Sequence, residues 1–191
     1  MKYLTKDEIG RLLVPIDNKR DKLLIQLGLV MGCRVSEVVT IRLKNISADR
    51  IRLWDEKKNV FRDAVIDSET KALIDEYLES EWRPQPHVAH QLFYFSTKTA
   101  NRILKTWCKK ADIPKDKAHY HVLRHSYVIH SLDAGVPINH VCEQTGDSPV
   151  TIVREYGKPS IDARKQMLES KGLYWKQTKE AEKHEEDHDK R

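Results

Sequence analysis

The run from Lys22 to Val30, KLLIQLGLV, constrains this chain more than any other stretch, because its apolar residues surround a helix rather than forming one stripe. Such a helix has to be central, with other elements packed around it. Gly28 and Gly32 mark places where it packs closely or ends. Directly behind it stands Cys33-Arg34-Val35-Ser36-Glu37, where Ser36 is expected to cap a short helix from Glu37 to Ile41. An arginine fixed to the end of a buried helix, rather than to a solvated face, is a candidate for holding an anion from the interior side.

The remaining pattern is mostly helical. Thr5 as N-cap, Glu8 three residues later, and Ile9, Leu12 and Leu13 predict a first helix with a capping box. Arg50–Trp54 and Val60–Asp67 alternate polar and apolar residues and predict two antiparallel strands, joined by a polar loop that presents Lys57 and Lys58. Ser68 is expected to cap a helix through Leu78. A loop follows through Pro84 and Pro86, then a short extended piece, Leu92–Phe95, and a helix from Thr99 to Ala111 capped by Ser96 or Thr97. Further helices are expected to begin at His121, to run from Pro137 to about Thr145, and to form short turns over Val150–Tyr156. A last amphipathic helix is expected from Ile161 to about Lys176, and the almost wholly charged end beyond it is expected to be disordered.

Composition narrows the function classes. The chain has 191 residues and a formal net charge of +5. From Lys176 to Arg191 it carries five Lys/Arg against six Asp/Glu, so the body before that tail holds the whole excess, +6. A basic body favours a polyanionic partner such as nucleic acid. No run approaches the roughly 18 apolar residues of a membrane span, and the N-terminus lacks a signal-peptide core, so the expected place is the cytoplasm. Cys33, Cys108 and Cys142 are odd in number and widely spaced, which predicts buried free thiols rather than disulfides or a metal site.

The stretch His121–Tyr156 carries the chemistry. It sets His121 and Arg124 one helical turn apart and places Tyr156 beyond a Gly-Val-Pro turn and a Gly-Asp-Ser-Pro turn. These are the parts of a phosphate site with a nucleophile. His121 and His125 also stand at the i, i+4 spacing of a zinc helix, but no Glu occupies the second position and no third ligand is apparent, so no metal is expected. His125 is read as a packing or supporting residue.

With Arg34, the Lys57-Lys58 hairpin, His121-Val-Leu-Arg124 and Tyr156 in that order, the sequence resembles the tyrosine recombinase, or phage integrase, family over roughly Tyr3 to Pro159. YLTKDEIGRLL looks like the opening of the family's catalytic domain. GLVMGCRVSEVVTIRLKNI looks like the box holding its first arginine, and HVLRHS like its second. The resemblance implies an α+β, mainly α-helical catalytic domain with a small antiparallel hairpin over residues 1–176 and a charged tail over 177–191; the separate core-binding domain that members usually carry before this point is expected to be either absent or removed. It also implies DNA strand cleavage and rejoining without cofactor or metal. Arg34 and Arg124 would clamp the scissile phosphate, because Arg offers a permanent charge and a fork that fits two oxygens. Tyr156 would attack to give a 3′-phosphotyrosine. His121 would act as general base, since a phenol that titrates near 10 needs help in losing its proton. A hairpin lysine, Lys57 with Lys58 as close rival, would protonate the leaving 5′-oxygen.

One position departs from the family. Where most members read Leu-Gly-His, this chain has Thr145-Gly146-Asp147, so a second phosphate-contacting histidine becomes a carboxylate. An ionised Asp147 repels a phosphate unless it faces an arginine or holds a proton, so it either supports the site or weakens it. The expected partners are double-stranded DNA and further copies of the chain, as a tetramer on DNA and a monomer in solution, with the last helix either packing on its own domain or docking onto a neighbouring copy. A type IB topoisomerase-like cleavage-ligation enzyme and a non-catalytic DNA-binding regulator are the alternatives.

Overall fold

The computed structural model describes residues 2–56, 58–85 and 90–157, together with 164–165 and 168–169. Met1–Gly157 forms one compact unit and Lys158–Arg191 a second. Among the described residues the first unit is mainly helical, with one two-stranded antiparallel sheet, as expected.

The apolar run forms the middle of α2, Lys19–Met31, in which Leu23, Leu24, Ile25, Leu27 and Met31 are all completely buried. Its main neighbours are α6, His121–Asp133, and α4, Ser68–Ser80, with α3, Val35–Val39, and α5, Thr97–Lys110, also against it. Gly28 permits the close approach of α6, since a Cβ there would sit 2.7 Å from Leu123 Cδ1 and 2.8 Å from the Tyr120 hydroxyl. That hydroxyl donates to the Leu24 carbonyl at 2.8 Å, fixing the two helices in register. α2 then stops at Gly32, which takes the left-handed conformation with φ +55°. Both roles expected of these glycines, close packing and helix ending, are therefore filled.

The hairpin consists of β1, Arg50–Asp55, and β2, Val60–Val65, paired so that Leu53 faces Arg62 and Asp55 faces Val60. Ile51, Leu53 and Asp55 alternate inward along β1. Asp55 thus occupies an inward position otherwise filled by apolar side chains. The capping box of α1, Lys6–Leu13, is present as predicted, with Thr5 accepting from the Glu8 amide.

Several boundaries differ from expectation. Helix α3 starts at Val35, so Arg34 rather than Ser36 is its N-cap residue. Asp67 caps α4, because its carboxylate, at 2.6 Å from the Thr70 amide, competes better for that donor than the Ser68 hydroxyl. Pro137 precedes α7, Ile138–Thr145, as its N-cap. The turns expected over Val150–Tyr156 form one continuous helix, α8, Pro149–Tyr156, started by Ser148. Of the expected last helix only Arg164, Lys165, Leu168 and Glu169 are described, and these four are helical; the boundary at Lys176 and the tail lie outside the described residues. Cys33, Cys108 and Cys142 are free and buried, as predicted.

A second, smaller apolar cluster positions the candidate nucleophile. Val128 of α6, Val141 and Cys142 of α7 and Ile152 of α8 are buried together, and Tyr127 and Tyr156 pack against them. Tyr156 is therefore carried by a short helix whose Ile152 packs on three buried side chains of α6 and α7 rather than on the main core.

Gly32 gives the first testable consequence. A Cβ there would lie 2.5 Å from Tyr127 Cδ1, and a left-handed conformation costs an ordinary residue roughly 1–2 kcal/mol before any clash. Gly32→Ala should lower unfolding stability by about 2–4 kcal/mol in urea titration. Gly10→Ala, in α1 with nothing within 4 Å of the added Cβ, should raise it by up to about 1 kcal/mol.

Candidate active site

Arg124 lies in the first turn of α6, and its side chain is 2 % exposed. Its Nη1 donates to the Gly32 carbonyl at 2.7 Å and to the Thr145 carbonyl at 2.9 Å. These are carbonyls at the C-terminal ends of α2 and α7, where a helix leaves acceptors unpaired and bears partial negative charge. Its Nη2 is 2.5 Å from Asp147 Oδ2.

Arg34 reaches the same carboxylate from the other side, donating from Nη2 to Asp147 Oδ1 at 3.1 Å. The two arginines named from the sequence are therefore brought together, each on one oxygen of Asp147. Behind Arg34 stand two further buried acids. Its Nη1 lies 3.6 Å from Glu37 Oε1 and 3.5 Å from Asp55 Oδ2. Glu37 also accepts from the Arg34 amide at 2.6 Å and from Arg62 Nη2 at 3.0 Å. Arg62 donates from Nη1 to the Gln144 carbonyl at 2.5 Å, tying the hairpin to α7. Three arginines thus meet three carboxylates in one half-sealed cluster. Each charge is answered locally, as burial requires.

Glu37, Asp55 and Arg62 were not singled out from the sequence. Each left a signal: Glu37 stands three residues after Arg34 at a helix start, and Asp55 continues the inward phase of Ile51 and Leu53. Arg62 is the cross-strand partner of Leu53. A charged residue in an apolar phase needs a buried counter-charge.

Lys57 lies outside the described residues. Its rival Lys58 donates from Nζ to the Gly146 carbonyl at 2.6 Å, next to Asp147, and its amide donates to Asp55 Oδ1 at 3.3 Å.

The partner of the Tyr156 hydroxyl is His125, whose Nδ1 lies 2.5 Å away. His121 instead sits exposed at the start of α6, its ring edge-on to that of His125 with centroids 4.3 Å apart. The expectation that His121 serves Tyr156 thus finds a different histidine in hydrogen-bond contact, one helical turn deeper. Burial, followed by the nearby His121, pushes His125 down to about 4. Partial desolvation and then Arg124 lower His121. Tyr156 is pushed up to about 12, chiefly by burial, with Arg124 opposing and Glu155 and Asp147 adding to the rise. Although His121 and His125 have zinc-helix spacing, no group of three metal-binding side chains is assembled among the described residues.

The fold and this cluster define a class of protein. The structure superposes on the crystal structure of XerA recombinase with a TM-score of 0.77 at 23% identity, covering 89% of this chain and 65% of that one. It also superposes on XerH site-specific recombinase bound to difH substrate in a pre-cleavage complex, with a TM-score of 0.72 at 18% identity, covering 92% and 55%. The chain belongs to the phage integrase family, whose model matches residues 2–161. In sequence it is similar to tyrosine recombinase XerA of Pyrococcus horikoshii, 27% identical over 179 residues, which cover 90% of this chain and 62% of the relative. It spans about three fifths of that relative's length.

His125 makes the pH dependence of stability predictable. Its folded value lies below the ordinary 6.5, so between the two the unfolded chain binds more protons. Its contribution is intact above pH 6.5 and lost as pH falls toward 4. The charged or titratable groups acting on it are His121, His119, Arg124 and Glu155. Urea unfolding followed across this window should show stability declining as pH falls, and His125→Gln should flatten the decline.

Proposed function

We propose that this chain is the catalytic domain, residues 1–176, of a site-specific tyrosine recombinase that cleaves and rejoins double-stranded DNA in the cytoplasm. It works without cofactor or metal, as a tetramer on DNA, through a Holliday junction. The observation that carries this reading is the convergence of Arg34 and Arg124 on the two oxygens of one carboxylate. The non-bridging oxygens of a phosphodiester offer the same two-oxygen target, and a preorganised guanidinium pair stabilises the charge that builds on them. The resemblance to recombinases, one of them solved on its DNA substrate, supports the same reading.

In this mechanism the Tyr156 phenolic oxygen bonds to phosphorus as the bond from phosphorus to the 5′-oxygen breaks. The product is a 3′-phosphotyrosine and a free 5′-hydroxyl. Lys57 of the hairpin gives the leaving oxygen its proton, while Lys58, bonded to the Gly146 carbonyl, holds the hairpin against the clamp. A 5′-hydroxyl from the partner strand reverses the same steps, and the retained phosphoester bond energy drives rejoining.

Asp147 holds the clamp in shape before DNA arrives and gives up arginine contacts to the phosphate when it binds. It supports the geometry and weakens the attraction. The same carboxylate favours a second reading, a DNA-binding regulator whose clamp is permanently neutralised.

The deciding experiment uses a pool of duplexes with a randomised centre, nicked so that the released 5′-hydroxyl fragment diffuses away. Covalent protein–DNA adduct should accumulate with the wild type and be absent with Tyr156→Phe. Retained DNA without adduct from either protein would instead establish the regulator.

Asp147→Asn tests the role given to the carboxylate. Removing a like charge from beside the phosphate should tighten binding of adduct-forming duplexes by about tenfold or more. It should also lower the unfolding midpoint, because the buried Arg124 loses its counter-charge. Filter binding and urea titration measure the two effects separately.

A further inference from the structure

His125, which the sequence offers as a packing or supporting residue, lies against the Tyr156 hydroxyl. We infer that His125 Nδ1, rather than His121, accepts the Tyr156 proton during attack; this rests on the recombinase reading. His125 is the histidine in contact, 2.5 Å from the phenolic oxygen, while His121 stands exposed at the helix end and touches His125 edge-on. The acceptor has to be neutral to take a proton, and burial holds His125 neutral across the physiological range. Nδ1 then carries the lone pair and Nε2 the proton.

The step balances. As the Tyr156 oxygen bonds to phosphorus, its hydrogen passes to Nδ1 and the ring becomes an imidazolium, while the 5′-oxygen leaves with a proton from the hairpin lysine. Rejoining returns the His125 proton to the phenolic oxygen. With Tyr156 pushed up to about 12 and His125 down to about 4, free phenolate cannot form beforehand, so transfer accompanies attack. Glu155, which acts electrostatically on both groups, favours the imidazolium as it forms.

Two measurements test this. Nitrogen-15 NMR of histidine-labelled protein, without DNA, should show His125 protonated on Nε2 alone, with its Nδ1 signal moving in Tyr156→Phe. A proton on Nδ1 would overturn the inference regardless of any activity. Single-turnover adduct formation on duplexes recovered from the randomised pool then compares variants. His125→Ala should slow adduct formation by about 100-fold to 10,000-fold. His125→Asn, which can still hydrogen-bond the hydroxyl but cannot take its proton, should be similarly slow. Added imidazole should restore His125→Ala, with a rate that rises with the fraction of neutral imidazole. A fast His125→Asn, or His125→Ala that is folded by thermal melt but not rescued, would reduce His125 to a structural contact and overturn the inference. No adduct from the wild type would overturn the recombinase reading and the proton transfer with it, even where the Nε2 tautomer is confirmed.

Discussion

Arg124 Nη1 donates to two carbonyls that end two different helices, and the placement of the main helices follows from that pair of bonds. A guanidinium cannot be sealed in an apolar interior without partners for its charge and its N–H groups. The partners here are main-chain oxygens released where α2 stops at Gly32 and α7 stops at Gly146, both left-handed. For these ends to meet at the first turn of α6, α2 has to run through the middle of the domain. The continuously apolar sequence of α2 lets it do so. The core therefore delivers helix ends to a point where a buried cation can be held.

The acids around the cluster set what the arginines can do. Glu37 and Asp55 lie behind Arg34, and Glu37 also holds Arg62, so the hairpin, α3 and α7 are joined through charges rather than apolar contact. Such a network is costly to dehydrate but restricts each fork to one direction, which is what recognition of two oxygens requires. Asp147 differs from the other two because it faces the side where Arg34 and Arg124 converge. It is also less buried, with 12 % of its side chain exposed. A carboxylate there keeps two like charges close together at a cost in net positive potential.

The fold was legible because its determinants are periodic: the apolar run of α2, the alternation of the hairpin and the capping box at Thr5 each need only local patterns. Arg34, Arg124 and Tyr156 stand out as candidates through order and type. Their actual partners were less so, since pairing depends on which faces meet. Arg34 and Asp147 are 113 positions apart, and neither residue alone announces the other. Asp147 stood out as a departure, but whether it opposed or supported the arginines depended on α7 and α8 turning it inward. Asp55 and Arg62 were readable in principle, because a charge in the inward phase of a strand implies a buried partner. His125 is legible only as a packing or supporting residue for another reason: one helical turn separates it from His121, and spacing places both on the same helix face without saying which one another element will cover.

That last distinction depends on the depth of each residue along α6. His121 is its first residue and remains exposed, whereas His125 lies one turn further in, where Tyr156 of α8 covers it. Covering removes part of the water from the ring and from the phenol together, which disfavours the charged form of each. The pair is consequently neutral and hydrogen-bonded at rest, with both groups far from their ordinary titration ranges. A phenol in that condition is inert until a charge arrives to stabilise its anion, and Arg124 already acts in that direction. The small apolar cluster beneath α8 therefore does more than carry the tyrosine: by half-burying Tyr156 against His125 it makes the reactivity of Tyr156 depend on what the arginines hold.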